Sequence, residues 1–512
     1  MQIRLGAFLS YLNVIVQNGV YLVYTPLLIH FLGNNQFGLF QLTNQAVSTL
    51  ALLAVGFSSA YVKFYWEEKT KNNESVERLN GLYLLFFIFI AIVAVTMGII
   101  LMKNSQILFN QKYSQIEISI ASKMILIMTG SIAINFVSSV FNSYIVANEK
   151  FIFQQSRILF STLVQPLVVI CLLIYGLDVV SVTLVQFLFA FIILCLNIRY
   201  ALRKLHMKFS FGRGQVKLFI CIATFSGYIF INQIADLVND SVPGLVVGKL
   251  LNPSNVAIYA VAIQIRTVFA QLSLALSNIF IPKMNELVMR GDNEGLNFYF
   301  VKVGRIQFIL LTFIFGGFVV VGQEFLKVWA GSEYVVAYWI IIMMVLPVLV
   351  PLSQSLGIEI QRARNLHKFR SWTMAVFAIA NVIITILAVK YFGVIAAGSG
   401  YVFAMSVGTF LTMNIYYHFR VGLNMRIFLL NIAKLSIVPC ATIVIALTLK
   451  LFLTVSSMDV LFVMGVFYSA VFMILTWQIS LNKYEKVVVK EIFIRKFSEK
   501  INRNNERHKK IH

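Results

Sequence analysis

The residues best placed to do chemistry are concentrated in one stretch, Tyr228 to Arg266, where Asn232, Gln233, Asp236, Asn239, Asp240, Gln264 and Arg266 interrupt an otherwise apolar sequence. The stretch reads as two membrane-spanning helices joined by a short loop, Asn252 to Asn255. An ionisable side chain at the centre of a bilayer costs roughly 2.5–3.5 kcal/mol on insertion scales, so such groups face a polar interior. At a rise of about 1.5 Å per residue, Asp236 sits about 22 Å down one helix from that loop and Arg266 about 17 Å down the next. Both depths fall near the middle of a hydrocarbon core about 30 Å thick. Two roles fit. The charges can stitch two helices together as a structural ion pair, or they can line a water-filled path for a polar or charged substrate. The additional polar side chains around them favour the path. Asp236 and Asp240 stand one turn apart on one helix face. They can neutralise Arg266, or bind a cation or proton, because burial makes a carboxylate easier to protonate.

The elements that must hold these groups follow from composition. The chain has 512 residues, 59% of them hydrophobic and 12% charged, with a mean hydropathy of +0.83. That composition excludes a soluble globular protein and indicates an all-α polytopic membrane protein. The net charge of +22 does not indicate a nucleic-acid partner, because the basic residues cluster at the ends of apolar runs. Cys171, Cys195, Cys221 and Cys440 lie within apolar runs and read as packing residues. The first apolar run, 6–32, contains Pro26 and no small-residue cleavage pattern after it, so it reads as a retained span and not as a secretion signal.

Fourteen apolar runs are long enough to cross a bilayer: 6–32, 41–62, 80–102, 121–147, 156–176, 179–202, 222–251, 255–281, 304–323, 334–358, 370–390, 394–417, 428–450 and 457–481. Basic residues test the count. Among the 42 Lys and Arg, only Lys103, Lys112, Lys123, Lys249, Lys327, Lys390 and Lys450 fall on one side, and Arg266 and Lys434 lie inside spans. The remainder alternate onto the other side, loop by loop, which places both termini in the cytoplasm. No inter-span segment is long enough to fold as a catalytic domain. Among the six histidines there is no metal-ligand spacing, and there is no phosphate-cradling glycine loop or nucleophile motif. The chain is therefore expected not to be an enzyme and to need no metal or cofactor.

Laying the chain over itself at an offset of 219 pairs Asn13 with Asn232, Gln17 with Asp236, and Gln45 with Gln264. This predicts two parallel lobes of six spans, 1–206 and 207–421, related by an axis along the membrane normal. Residues 422–482 then form two appended spans, and 483–512 a basic cytoplasmic tail. Within the tail, KEIFIRKFSEKI (490–501) spaces Ile494, Phe497 and Ile501 as an amphipathic helix would, suited to an anionic inner leaflet or simply to solvent.

LLIHFLGNNQFGLFQL (27–42), GFSSAYVKFY (56–65), FNSYIVANEKF (141–151) and YFGVIAAGSGYVFA (391–404), in this order and spacing, resemble the Wzx-type polysaccharide flippases of the multidrug/oligosaccharidyl-lipid/polysaccharide exporter (MOP) superfamily. The resemblance covers almost the whole chain. It implies a MATE-like fold in a bacterial inner membrane. It also implies transport of an undecaprenyl-pyrophosphate-linked oligosaccharide for O-antigen, capsule or exopolysaccharide synthesis by alternating access. Proton or sodium coupling, and contact with other pathway proteins, come with the family.

For such a substrate Arg266 is the central candidate, since a guanidinium fork can donate to two phosphate oxygens together. Lys63, Arg305, Arg362, Arg364 and Lys368 could serve at the inner mouth, though each also fits an ordinary interfacial anchor. Asn13, Gln17, Asn18, Asn44, Gln45, Asn232, Gln233 and Gln264 could bond sugar hydroxyls. A lone polar residue in a span often only joins two helices, at about 0.6 kcal/mol, but these gather in matching spans of both lobes. Glu359 is a second carboxylate, spaced to pair with Arg362. Pro26 and Pro243 are candidate hinges. The competing readings are a cation-coupled drug or metabolite antiporter, a lipid II flippase, and a membrane polymerase or ligase of the same pathway.

Overall fold

The computed structural model describes residues 2–54, 56–109, 113–211, 216–364, 366–452, 457–482 and 485–487. Hydrocarbon offers no water to a backbone amide, so a spanning chain must satisfy itself internally. Among the described residues the structure holds helices and turns and no strand. Twelve helical segments are long and apolar enough to cross a membrane by length and composition. Two features bear on the difference from the expected fourteen. The first segment, Leu12–Ala54, is not one rod, because Gly33 at φ 71 and ψ 167 interrupts the helix Gln2–Ser48. That φ suits glycine and strains any other residue. The run formed by Val216–Asp240 and Val242–Leu250 lies outside the twelve.

The breaks differ in detail from the expectation. Pro26 sits inside continuous helix, and the chain turns at Gly33, so residues 34–40 are already helical and not loop. Between the spans that carry Asp240 and Arg266 the helix resumes at Pro253, which shortens the expected four-residue loop. Asn252 caps that helix, its side chain accepting from the Asn255 N–H at 3.0 Å. The preceding helix breaks at Ser241, just ahead of Pro243, which occupies the first turn of the next helix, where its missing N–H costs little.

The two lobes meet about a pseudo-twofold axis that side-chain contacts make explicit. Ser254 donates to Asn35 Oδ1 at 2.7 Å, and these residues are 219 apart. Gln264 hydrogen-bonds Thr25 at 2.9 Å, and Gln45 presses its side-chain oxygen against Gly244. Adding 219 to Thr25 and subtracting it from Gln264 gives Gly244–Gln45, the reciprocity that a twofold imposes. Gly38 allows the closest approach: a Cβ there would fall 1.9 Å from the Pro253 carbonyl oxygen.

One apolar core runs through the C-terminal lobe and into the N-terminal one, where Leu28, Phe37, Leu42 and Val47 join Val247, Val256 and Tyr259. A second core, around Tyr61, Tyr83, Phe87, Phe136 and Tyr144, fills the basic-loop end of the N-terminal lobe and takes in Ile222. The helices Met425–Leu451 and Ser457–Leu475 pack on Asn293–Trp329 through Val320, Val438, Met464, Tyr468 and Phe472. The amphipathic segment 490–501 lies outside the described residues.

Candidate functional site

A cavity of about 420 Å³ opens between the lobes. Tyr21, Tyr24 and Thr25 line it from before the Gly33 break, and Gln41, Asn44, Gln45 and Ser48 from after it. Gln186 adds an amide from the helix Val179–Arg199, and the other lobe supplies Asp240, Ser241, Gln264, Arg266 and Thr267.

Arg266 is the cation of this cavity. It lies thirteen residues, about 20 Å, along the helix that starts at Pro253. Its Nη2 donates to Asp240 Oδ1 at 2.5 Å, and its guanidinium lies 4.3 Å from the centre of the Tyr401 ring. Arg266 Nε is buried and finds no partner among the described residues, and the same holds for the hydroxyl of Tyr259, two turns back on the same helix. Asp240 is the last residue of its helix, where the backbone dipole disfavours an anion. Its pairing with Arg266 offsets that cost. The two partners are unequally exposed, 8% for the Arg266 side chain and 56% for Asp240. The cation is fixed by an aromatic ring and a carboxylate, while the carboxylate faces the cavity. An entering anion can therefore take the place of Asp240 on Arg266, and a released Asp240 can take up a cation or proton.

The other candidates divide. Asp240, Gln264, Arg266, Asn44 and Gln45 line the cavity together. Gln45 Oε1 is buried with no partner among the described residues, since Gly244 stands where Thr25 serves Gln264. The side chains of Asn232 and Asp236 lie outside the described residues, and among the described residues the carboxylate paired with Arg266 is Asp240. Gln233 is exposed and is not among the lining residues. Asn13 joins two helices of one lobe, donating to the Gln155 carbonyl at 2.9 Å and its Oε1 at 2.7 Å. Gln17 reaches only the Tyr21 hydroxyl, at 3.4 Å. Lys63 lies 4.0 Å from Glu67 and over the Phe64 ring at the basic-loop end.

Arg305 and Arg364 are elsewhere. Arg305 is buried under the C-terminal helices, with Nε 2.9 Å and Nη2 3.0 Å from the two Glu485 oxygens, Nη1 2.8 Å from Asn431 and Nη2 2.9 Å from the Ser480 carbonyl. Arg364 donates to the Val421 carbonyl and to Asn293. Arg362 pairs with Glu359 at 2.7 Å, as their spacing predicts. Sequence reasoning missed Tyr21, Thr25, Gln41, Gln186 and Tyr401. Gln186 alone carried a signal, as the one amide in VVSVTLVQFLFAFIILCL.

Residues 3–288, more than half of the chain, match the family described as polysaccharide biosynthesis protein. The uncharacterized membrane protein EpsK of Bacillus subtilis (strain 168) is 23% identical over 321 residues, which cover 60% of this chain and 62% of that protein. The chain thus aligns with less than two thirds of that relative's length. Among solved structures, the lipid II flippase MurJ in its inward closed conformation has a TM-score of 0.73 at 15% identity, over 93% of this chain and 99% of that one. An inward-facing multidrug resistance MATE family transporter of the MOP superfamily has a TM-score of 0.56 at 13% identity, over 80% and 94%. At such identities the likeness is one of fold.

Proposed function

The chain belongs to the polysaccharide biosynthesis protein family, and we propose that it is a flippase for a polyprenyl-pyrophosphate-linked oligosaccharide. The observation that carries this reading is the inter-lobe cavity, with one buried arginine whose carboxylate partner is half exposed and with amides and hydroxyls around it. A diphosphate needs a cation with two parallel donors, and a glycan needs neutral donors and acceptors. Both are present, and the lipid tail can remain in the bilayer.

In this reading the lobes 1–206 and 207–421 rock about the pseudo-twofold axis, with 422–482 riding on the second lobe and both termini in the cytoplasm. The contacts Ser254–Asn35 at 2.7 Å, Trp329 Nε1 to the Leu22 carbonyl at 2.6 Å, and Asn34 to Glu333 hold the lobes together at the face opposite the basic loops. They must part for the substrate to leave. The diphosphate displaces Asp240 from Arg266, and Asp240 then accepts a proton or sodium ion, which couples transport to a gradient. The setting is O-antigen, capsule or exopolysaccharide synthesis at a bacterial inner membrane.

The test is complementation in a strain that lacks its own flippase and carries the native sugar-assembly genes. Long surface polymer should return with the parent and fail with Arg266→Ala at equal membrane levels. Unimpaired polymer with Arg266→Ala would remove the central cation from the mechanism. No polymer with the parent, together with raised resistance to cationic dyes, would replace the reading with a drug antiporter. A second reading, lipid II transport, is favoured by the extent of the MurJ match, 93% of this chain against 80% for the MATE transporter. Rescue of cells depleted of their lipid II flippase would select it.

A further inference from the structure

Behind the inter-lobe cavity lies a second one, of about 450 Å³, inside the N-terminal lobe. The two share Asn44, Ser48 and Gln186 as a common wall. Asn135, Ser161 and Gln165 line only the inner one. No charged residue is among the described residues that line it. The nearest cation along its own helix, Arg157, is one turn before Ser161 and is held away by Asn197 and by Asn142, the latter at 3.0 Å. Asn44 and Asn135 are exposed in the compartment, and their side-chain amides have no hydrogen-bond partner among the described residues.

Unpaired amides inside a membrane bundle are unusual, because neighbouring helices normally absorb them. In the C-terminal lobe the amide nitrogen of Gln307 is turned inward onto its neighbours and reaches neither cavity. There Gln307 Nε2 donates to the Ser273 carbonyl at 2.9 Å and lies 2.8 Å from the Ser277 and Ser355 hydroxyls, while its Oε1 is buried with no partner among the described residues. The amides of Asn44 and Asn135 differ in being exposed to a cavity that a ligand can enter. A primary amide offers two donors and an acceptor, the complement of a hydroxyl or acetamido group. An ionised sugar would enter this compartment with no counter-charge, and a desolvated unpaired charge is costly.

We propose that the N-terminal compartment is the glycan-reading subsite, and that it selects uncharged hydroxyl- and acetamido-bearing sugars while Arg266 next door holds the diphosphate. The inference rests on the flippase reading above. It makes Asn135 and Gln165 specificity residues that do not touch the phosphates.

The experiment measures binding to the detergent-purified full chain with three probes: polyprenyl pyrophosphate alone, the same lipid carrying a neutral N-acetylated disaccharide, and the same lipid carrying a disaccharide with one hexuronic acid. Two or more neutral hydrogen bonds amount to about a tenfold gain in affinity. The neutral disaccharide should therefore bind about tenfold tighter than the bare lipid, and the acidic one no tighter than the bare lipid. Asn135→Ala with Gln165→Ala should erase the gain and leave the affinity for bare pyrophosphate unchanged. Gln165→Lys should transfer the preference to the acidic probe, which separates recognition from misfolding. Equal binding of bare and neutral probes, or a gain that survives the double variant, overturns the subsite while the flippase reading stands. Failure of all three probes to bind the parent overturns both.

Discussion

Two arginines in this chain are buried to the same degree and each meets a carboxylate, yet they are arranged oppositely. Arg305 and Glu485 are 7% and 10% exposed, and Arg305 spends Nε, Nη1 and Nη2 on Glu485, Asn431 and the Ser480 carbonyl. Arg266 is 8% exposed, but Asp240 is 56% exposed, Nε has no partner among the described residues, and the Tyr401 ring covers one face. A saturated guanidinium fixes the geometry of what surrounds it. A guanidinium with donors to spare, beside a cavity, can exchange one anion for another. The first ties the end of the last described helices to the C-terminal lobe, and the second is free to work.

The sharpest test of this contrast is Arg305→Ala. Breaking a buried pair by removing one partner costs about 3–5 kcal/mol, because the other charge is left buried. Thermal unfolding in detergent should fall accordingly, while Arg266→Ala should cost less, because Asp240 at 56% exposed can be solvated once its partner is gone. Equal losses of stability would break the comparison.

Next in size is Arg266→Lys. It keeps the charge and loses the planar fork, so transport should fall about tenfold with little change in stability. Arg305→Lys, by contrast, should lower stability and leave the transport rate per folded molecule unchanged.

Acid offers a smaller effect. Burial alone pushes the Glu485 carboxyl up, but hydrogen bonds from Arg305 and from the Asn482 N–H, with the charge of Arg305, outweigh it and hold the group below the usual carboxylate range. A depressed value in the folded state means that the pair's stabilisation is complete above the ordinary glutamate value of about 4.3 and is lost as pH falls through the lowered one. The melting temperature of the parent should drop over that acid window, and Glu485→Gln should show a lower melting temperature at neutral pH with a shallower acid drop.

Smallest of all should be the stability change in Asp240→Asn, under about 1 kcal/mol for a half-exposed partner. Its effect belongs to transport, where dependence on a proton or sodium gradient in proteoliposomes should vanish. A gradient dependence that survives would move the coupling to another group.

The spans were legible in the sequence because hydrocarbon forces every apolar run into helix, and the repeat because polar residues recurred at one offset that contacts such as Ser254–Asn35 later met. Asn44, Gln45, Asp240, Gln264 and Arg266 were legible as polar groups in costly places, and they do share a wall. Asn13 looked the same in sequence but is consumed by Gln155 within one lobe, and Arg305 is consumed by residues about 126 to 180 positions away. Gln186 joined the site from a span whose single amide marked it as polar without saying what it faces, and Tyr401 from a helix where a lone ring carries no positional meaning.

What the sequence determined by itself was that the apolar runs fold as membrane-length helices, twelve of which meet the length and composition of a span, which loops carry positive charge, and that polar groups occur where they must be satisfied. Those are properties of a residue and its solvent, and they act locally. What only the tertiary structure decided was which of those groups find partners. Satisfaction of a donor depends on geometry between distant helices: the break at Ser241 sets Asp240 against Arg266, the fold saturates Arg305, and the N-terminal lobe leaves the amides of Asn44 and Asn135 open.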